Sequence, residues 1–534
     1  MSPTHRREFT ELPITIDRTL DVALSAQIAA ALREAIDRDA LRPGEPVPAT
    51  RELSTRLGVA RGVVVTAYEQ LLAEGYLSAG HGRGTRVHPE LRATTEVRAP
   101  DEASAPNEAR APAAAHYTPD SPVASGSPVA SGSPASVPAP NAPLDADAQA
   151  APAPESRPLA PGLPDTSAVG TPEWRSAWRT AAAEAHHEAP ANGDARLRAA
   201  ITEHLRRMRG TTRPADDVIV TAGAREGLAL LLTALGSSHA RALTVGVEDP
   251  GYPSLRKVAA RFGATIVALP VDAEGLVTAT LPTGVLDAII VTPSHQYPLG
   301  GSLPLSRRRE LLDWAKRSGA VIIEDDYDSE LRHTGSPLPA LAALDDPVDG
   351  SVVLLGTFSK TVSQSLSAGY LLAPARLGRM ISPVRRVLGG PVSTIVQTAL
   401  ATYLASGGLR RHTTRMRKRY AQRRELVVER LFGTPGARVR PMSGGLHAVI
   451  EIAGGEHAES AIMQRCTGLG AVALSSYWHG QSPTAGRFGL VIGTGGSCDQ
   501  ASFEAALAQL RAALTVELSP APVRARPAAA RPRD

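Results

Sequence analysis

Between residues 24 and 38 apolar side chains recur at Leu24, Ile28, Leu32 and Ile36, the repeat of one helix face. Leu41-Arg42-Pro43-Gly44 ends that run. A second helix is predicted from Thr50, a suitable N-cap, burying Leu53 and Leu57 and stopping at Gly58. A third follows Ala60 and places Val64, Tyr68, Leu71 and Leu72 on one stripe before Gly75. Two helices separated by a short glycine-containing turn make a helix-turn-helix, whose later helix is free to enter a major groove. Tyr76-Leu77-Ser78-Ala79 and Thr85-Arg86-Val87-His88 then flank Gly80-His81-Gly82-Arg83-Gly84, the pattern of a β-hairpin wing.

From about Arg92 to Ser156 the periodicity stops. Pro, Ala, Ser and acids dominate, and Ser-Pro-Val-Ala-Ser-Gly occurs in tandem at 121–126 and 127–132. Such a composition cannot bury a core, so a disordered or semi-extended linker is expected. Beyond Leu159 short apolar runs alternate with helical patterns. Strands are predicted at Asp217–Thr221, Leu243–Val247, Thr265–Pro270, Ala288–Thr292, Ala320–Glu324 and Val352–Leu355. That alternation implies an α/β unit with a mainly parallel sheet covered on both faces, and ligands at the carboxyl ends of its strands. The domain reading is a winged helix-turn-helix at 11–90, a linker at 91–157, a large α/β body at 158–515 and a Pro/Ala/Arg tail at 516–534.

Composition narrows this little. Hydrophobic residues make up 43% of 534, enough for a large core, and a net charge of +4 argues neither for nor against a polyanionic partner. Cys466 and Cys498 form neither a disulfide framework nor a metal cluster, and no metal site is expected. The opening residues lack an apolar signal region, and no run of roughly 18 apolar residues occurs. A cytoplasmic protein without a membrane partner is the expectation.

Charge distribution says more than charge total. Residues 1–90 hold eleven arginines against twelve acids, yet Arg51, Arg61, Arg83 and Arg86 stand at the helix starts and the wing, where phosphates and base edges would be met. A three-helix packing module is the bland alternative. Pro48-Ala49-Thr50-Arg51-Glu52-Leu53, Gly58-Val59-Ala60-Arg61 and Ala67-Tyr68-Glu69-Gln70-Leu71-Leu72 through Leu77 resemble a GntR-type winged helix. The resemblance implies binding to a double-stranded DNA operator through Arg51, Arg61, Gly62, His81, Gly82 and Arg83. It also has a departure: Ala60 and Gly62 stand where that family carries hydroxyl residues around the arginine, so base specificity should differ.

In the body, lysine is the informative residue. Of 57 basic side chains only Lys257, Lys316, Lys360 and Lys418 are lysines. Lys360 follows the apolar run ending in Leu355-Gly356-Thr357-Phe358-Ser359, at a strand mouth. A lysine kept there in an arginine-rich chain points to a need for a primary amine, and imine formation with a carbonyl is the chemistry that demands one. Upstream, Thr221-Ala222-Gly223-Ala224-Arg225 reads as a strand followed by a helix start, suited to a phosphate. Tyr252 offers an aromatic lid. Ile322-Ile323-Glu324-Asp325-Asp326-Tyr327-Asp328 gathers carboxylates that repel one another unless a cation lies near, and a protonated pyridine nitrogen would serve. Amine, acid, aromatic and phosphate site together specify pyridoxal 5'-phosphate.

Pro161-Gly162-Leu163-Pro164-Asp165, Glu248-Asp249-Pro250-Gly251-Tyr252-Pro253, Thr292-Pro293-Ser294-His295-Gln296-Tyr297-Pro298 and Gly356-Thr357-Phe358-Ser359-Lys360 extend the pattern. The body resembles a fold-type I aminotransferase, and the whole chain is similar to MocR-type regulators. By that resemblance Lys360 is the imine-forming lysine. Asp325 pairs the pyridine nitrogen, with Asp326 the runner-up, Tyr327 reaches the phenolic oxygen and Tyr252 stacks on the ring. Gly223, Ala224, Ser359 and Ser367 would meet the phosphate, and Arg487 would hold a substrate carboxylate. The resemblance further implies a homodimer and an effector that is an amino compound or pyridoxal phosphate itself. An active aminotransferase with an appended DNA-binding module is the alternative. In the family pattern an arginine seven positions after the lysine contacts the phosphate, whereas this chain has Ser367. Losing that charge-assisted contact costs about 1.5–3 kcal/mol.

Overall fold

The computed structural model describes residues 16–18, 24–37, 41–73, 76–80, 84–89, 157–186, 190–332, 339–442, 444–479 and 488–519. The expected linker apart from Arg157, the wing tip and most of the expected tail lie outside these residues.

The amino-terminal unit consists of α1 (Leu24–Asp37), α2 (Thr50–Leu57), α3 (Arg61–Ala73) and a hairpin of β1 (Leu77–Gly80) and β2 (Gly84–Val87). Ile28, Leu32 and Ile36 from α1, Leu53 from α2, and Val64, Tyr68 and Leu71 from α3 are buried in one cluster with Leu77 and Val87. Leu57 and Leu72 are only half-buried at its margin. The expected caps are shifted at one end. Ala49 is the N-cap of α2 and gives no side-chain hydrogen bond, while Thr50 is already helical. At the other end Gly58 takes the left-handed conformation, φ 60°, and closes the helix by donating to Ser54 and Thr55 carbonyls. The Tyr68 hydroxyl donates to the Pro48 carbonyl at 2.7 Å and ties α3 to the strap before α2.

The body is built on strands β3 (Val218–Thr221), β4 (Thr244–Asp249), β5 (Thr265–Asp272), β6 (Gly275–Leu276), β7 (Ala288–Val291), β8 (Val321–Asp326), β9 (Val352–Thr357) and β10 (Gly369–Leu372). They form one sheet in the order β3-β10-β9-β8-β7-β4-β5-β6. The pairs β4–β5, β4–β7, β7–β8 and β8–β9 are parallel, and β10 runs antiparallel to both β3 and β9. All six strands expected from the apolar runs are present, several extended at their carboxyl ends. β10 was not expected. It is short, follows closely on the lysine loop, and lacks the flanking turn signals that mark a strand by pattern alone.

Side chains alternate across the sheet into two cores. Val218 and Val220, Ile289 and Val291, Ile322, and Val352 and Leu354 face one side; Ile219, Ala288 and Ile290, Val321 and Ile323, and Val353 and Leu355 face the other. Both faces are buried, which is why these strands read as continuous apolar runs. The covering helices are α4 (Pro172–Ala183), α5 (Ala195–Arg209), α6 (Ala224–Gly236), α7 (Pro253–Arg261), α8 (Leu305–Ser318), α9 (Leu341–Leu344), α10 (Ala375–Leu388) and α11 (Thr394–Ala405). The long α12 (Gly408–Leu431) leads to a carboxyl-terminal layer with α13 (Gly455–Arg465), α14 (Gln500–Leu518) and a four-stranded antiparallel sheet. Its strands are β11 (Ala437–Val439), β12 (His447–Ile452), β13 (Val472–Ala473) and β14 (Phe488–Gly493), ordered β11-β12-β14-β13. α14 continues to Leu518, past the domain end expected at 515, where Leu518 still packs against the cluster that buries Leu507, Leu510 and Leu514.

Candidate functional site

Parallel strands end together, so residues just beyond β4, β7, β8 and β9 converge at one edge of the sheet. There they enclose a cavity of about 740 Å³, lined among others by Lys360, Asp325, Tyr252, Tyr327, Gly162 and Arg225. Four residues expected at the site from sequence are thus brought together: Lys360, Asp325, Tyr252 and Tyr327.

Lys360 lies just beyond β9 on a loop anchored by buried Phe358. Its ammonium donates a 2.7 Å hydrogen bond to the Gly162 carbonyl. Burial lowers its pKa, the charges of Asp325 and Asp328 oppose that, and the nearby Arg225 cation lowers it further. A lysine tuned downward carries more of the free amine that attacks a carbonyl. Gly162 adopts φ +73°, which favours glycine, and a Cβ there would sit 2.7 Å from the lysine nitrogen, so a larger residue would be strained and would displace the amine.

The carboxylates of β8 divide by the alternation of a strand. Asp326 points away from the cavity and pairs with the buried Arg209 at 2.9 Å, with Ser329 donating to it at 3.0 Å. Glu324 lies below, 3.8 Å from Arg209, and accepts from the backbone N–H groups of Leu341 and Ala342. Asp325 faces the cavity, 4% exposed, and its Oδ1 has no hydrogen-bond partner among the described residues. Burial, followed by the Asp326 charge, pushes its carboxyl up to about 7. The cation that the carboxylate cluster requires is therefore Arg209 for Asp326, and Asp325 is left facing the cavity.

Tyr327 donates to the His295 carbonyl at 2.9 Å and lies 3.0 Å from His295 Nδ1, which is in turn 2.9 Å from Asp328. Burial, then the Asp328 charge, holds the phenol well above its usual range. His447 contacts the Pro298 carbonyl through Nε2 at 2.9 Å, and burial lowers its pKa to about 3, so it is neutral. Potential ligand atoms of His295, Asp328 and His447 lie within 4.8 Å of one another; hydrogen bonds engage His295 Nδ1, Asp328 Oδ2 and His447 Nε2, while the buried His295 Nε2 has no partner among the described residues. Tyr252 packs edge-on against Tyr297 at 5.5 Å, and Tyr297 against Tyr327 at 5.6 Å, giving the cavity an aromatic wall. The Ser294–Gly300 run held the signal for His295, but sequence reading gave it no role, because its partner Asp328 comes from another strand end.

Gly223 and Ala224 form the start of α6 and do not themselves line the cavity; Arg225 does. Gly223 is the N-cap, φ 99°, with no side-chain hydrogen bond at that helix end. Ser359 donates its backbone N–H to Thr357 Oγ1 at 3.1 Å. Ser367 is exposed in the turn before β10 in the left-handed region, φ 43°. Arg487 lies outside the described residues.

In the winged helix, Arg51 on the first turn of α2 and Arg61 and Gly62 at the start of α3 are all exposed. Arg61 reaches back to Thr50 Oγ1 at 3.4 Å, and Arg86 on the wing is also exposed. His81, Gly82 and Arg83 lie outside the described residues.

Comparison with known proteins agrees with both halves. Residues 24–87 match the family described as Bacterial regulatory proteins, gntR family, and residues 163–476 match Aminotransferase class I and II. The chain is 40% identical to the HTH-type pyridoxine biosynthesis transcriptional regulator PdxR of Corynebacterium glutamicum over 95% of this chain and 99% of that protein. It is 33% identical to the probable rhizopine catabolism regulatory protein MocR of Rhizobium meliloti over 78% of each. In fold, it superposes on the kynurenine aminotransferase of Pyrococcus horikoshii with a TM-score of 0.60 and 21% identity, covering 68% of this chain and 91% of that one. With a GntR-type winged helix joined to a fold-type I aminotransferase-like body along a single chain, the protein belongs to the MocR-type family of helix-turn-helix transcription regulators.

Proposed function

We propose that this regulator holds pyridoxal 5'-phosphate in the Lys360 cavity and that the state of this site governs how its winged helices meet DNA. The observation that carries the reading is the unpartnered, buried Asp325 Oδ1 sharing a cavity with the Lys360 amine. A buried carboxylate oxygen without a partner is costly unless a cation or donor meets it. A protonated ring nitrogen supplies both, so the residues fit the cofactor. When bound, the group contributes an aldehyde able to condense with amines and a ring that withdraws electrons.

The chain's own residues do the rest. Lys360 supplies the amine, Asp325 holds a proton on the ring nitrogen, and Tyr327, placed beside His295, turns its one hydroxyl hydrogen from the His295 carbonyl to the ring's phenolic oxygen. Tyr252 covers one ring face. An amino compound that displaces Lys360 leaves the lysine ammonium to be accommodated elsewhere, at the Gly162 carbonyl among other places, and so couples effector binding to the segment 157–163. The winged helix, with Arg51, Arg61 and Gly62 presented together, would read half of an operator, and a homodimer would read two half-sites. Residues 91–157 would connect the two parts, and the protein would work in the cytoplasm. No helix among the described residues is long and apolar enough to cross a membrane.

The test is an absorbance titration of cofactor-free protein with pyridoxal phosphate, beside Lys360→Ala, followed by operator binding of each form. A visible band in wild type that the variant lacks, together with altered DNA affinity, supports the reading. Absence of any band at saturating cofactor removes it. Steady turnover of an amino acid with a keto acid would instead identify a working aminotransferase.

A further inference from the structure

The cofactor reading leaves a dianionic phosphate to be neutralised, and Ser367 brings no charge to it. Ser367 lies two positions before Gly369, the first residue of β10, which pairs with Thr221 at the end of β3. A Cβ on Gly369 would lie 2.8 Å from Gly223 Cα, so this glycine lets the turn carrying Ser367 approach the start of α6 closely. The amino-terminal N–H groups of α6 have no side-chain cap. Arg225 stands on that same first turn and lines the cavity.

Three further observations single out Arg225. No hydrogen bond or ion pair engages its side chain among the described residues. The adjacent carboxylate is already occupied, since Glu226 accepts from buried Arg385 at 2.5 Å and from the Ala222 N–H at 3.1 Å. Finally, the Arg225 charge acts both on Lys360 and on Tyr252, secondary in each case to burial, which places the guanidinium near the amine and the aromatic wall together. Lys257, Arg261 and Arg157 also line the cavity, but Lys257 and Arg261 belong to α7 and Arg157 to the segment that enters the body, and none of them stands on the first turn of α6.

We infer that Arg225 binds the cofactor phosphate from the first turn of α6, replacing the cation that Ser367 does not supply. This rests on the proposed cofactor reading and adds to it the residue that selects the phosphorylated vitamer. An arginine here acts with the helix N-terminus, since guanidinium and backbone N–H groups can share one phosphate's oxygens.

The test compares pyridoxal phosphate with pyridoxal, which lacks the phosphate, as ligands of wild type, Arg225→Gln, Ser367→Arg and the double variant. Affinities are read from the visible band. Arg225→Gln is expected to weaken pyridoxal phosphate about ten- to a hundredfold and pyridoxal far less, since loss of the charge beside Lys360 acts on both ligands alike. Ser367→Arg in the Arg225→Gln background is expected to restore most of the loss. Arg225 is exposed, so its replacement leaves the core intact, and an unchanged circular dichroism spectrum checks this. Equal weakening of both ligands, or no weakening of either, overturns the inference while the cofactor reading stands. Failure of wild type to bind pyridoxal phosphate at all overturns both, and the wild-type titration alone reveals it.

Discussion

Asp325→Asn tests the charge arrangement at its centre. In the cofactor-free chain, burial and the neighbouring Asp326 charge push the Asp325 carboxyl from 3.8 up to about 7. A carboxyl whose pKa is higher folded than unfolded binds its proton more tightly in the native state, so folding stability falls as pH rises between the two values. Each unit is worth about 1.36 kcal/mol. The buried carboxylate thus costs the fold roughly 1–2 kcal/mol at pH 5, and about 4 kcal/mol at pH 8, above both values. Asparagine keeps the volume and carries no charge. Relative to wild type, the variant is expected to gain about 2–3 kcal/mol between pH 5 and pH 8.

The assay is equilibrium urea denaturation of both proteins at pH 5, 6.5 and 8, each stripped of cofactor because a bound ligand adds its own stabilisation. Glu248, pushed up to about 7 by burial, is present in both proteins, and because its charge also raises the Asp325 carboxyl, the difference between the two curves reads the Asp325 charge together with that coupling. A difference that stays constant with pH, or shrinks as pH rises, refutes the argument. The same variant should bind pyridoxal phosphate more weakly. Stability gained and cofactor lost through one substitution is the signature of a residue kept for binding rather than folding.

Other expectations follow from the same geometry. Arg209→Met leaves Asp326 and Glu324 buried without their cation and is expected to destabilise the body by about 3–5 kcal/mol in urea, whether or not cofactor is present. Lys360→Ala should abolish the visible band while leaving the winged helix folded, read by circular dichroism and by residual DNA binding. Arg61→Ala, at an exposed helix start, should weaken operator binding and lower the slope of log affinity against log salt by about 1 if it contacts a phosphate, with no change in the thermal midpoint.

Much of this molecule is written locally. The three amino-terminal helices were legible because their apolar positions repeat at helical spacing, and Gly58 marks its own αL cap. The six principal strands were legible because a sheet buried on both faces leaves uninterrupted apolar runs. Lys360 was conspicuous through scarcity, and Tyr252, Asp325 and Tyr327 through their places after strands. The carboxyl-terminal sheet was not legible, because β11 and β13 are only three and two residues long and the central pair, β12 with β14, is brought together across α13 and β13.

What the chain could not disclose by itself was which of two adjacent aspartates faces the site. One residue of register reverses a strand side chain, and only packing decides it. Arg209, arriving from α5 more than a hundred positions earlier in the chain, claims Asp326 and leaves Asp325 to the cavity. The same holds for the His295–Asp328 support of Tyr327 and for the approach of Arg225 to Lys360. Sequence thus determined the residue types, the elements and their order, because these depend on local periodicity and composition. Tertiary structure decided the partners, because a buried charge takes its role from whichever opposite charge the fold carries to it.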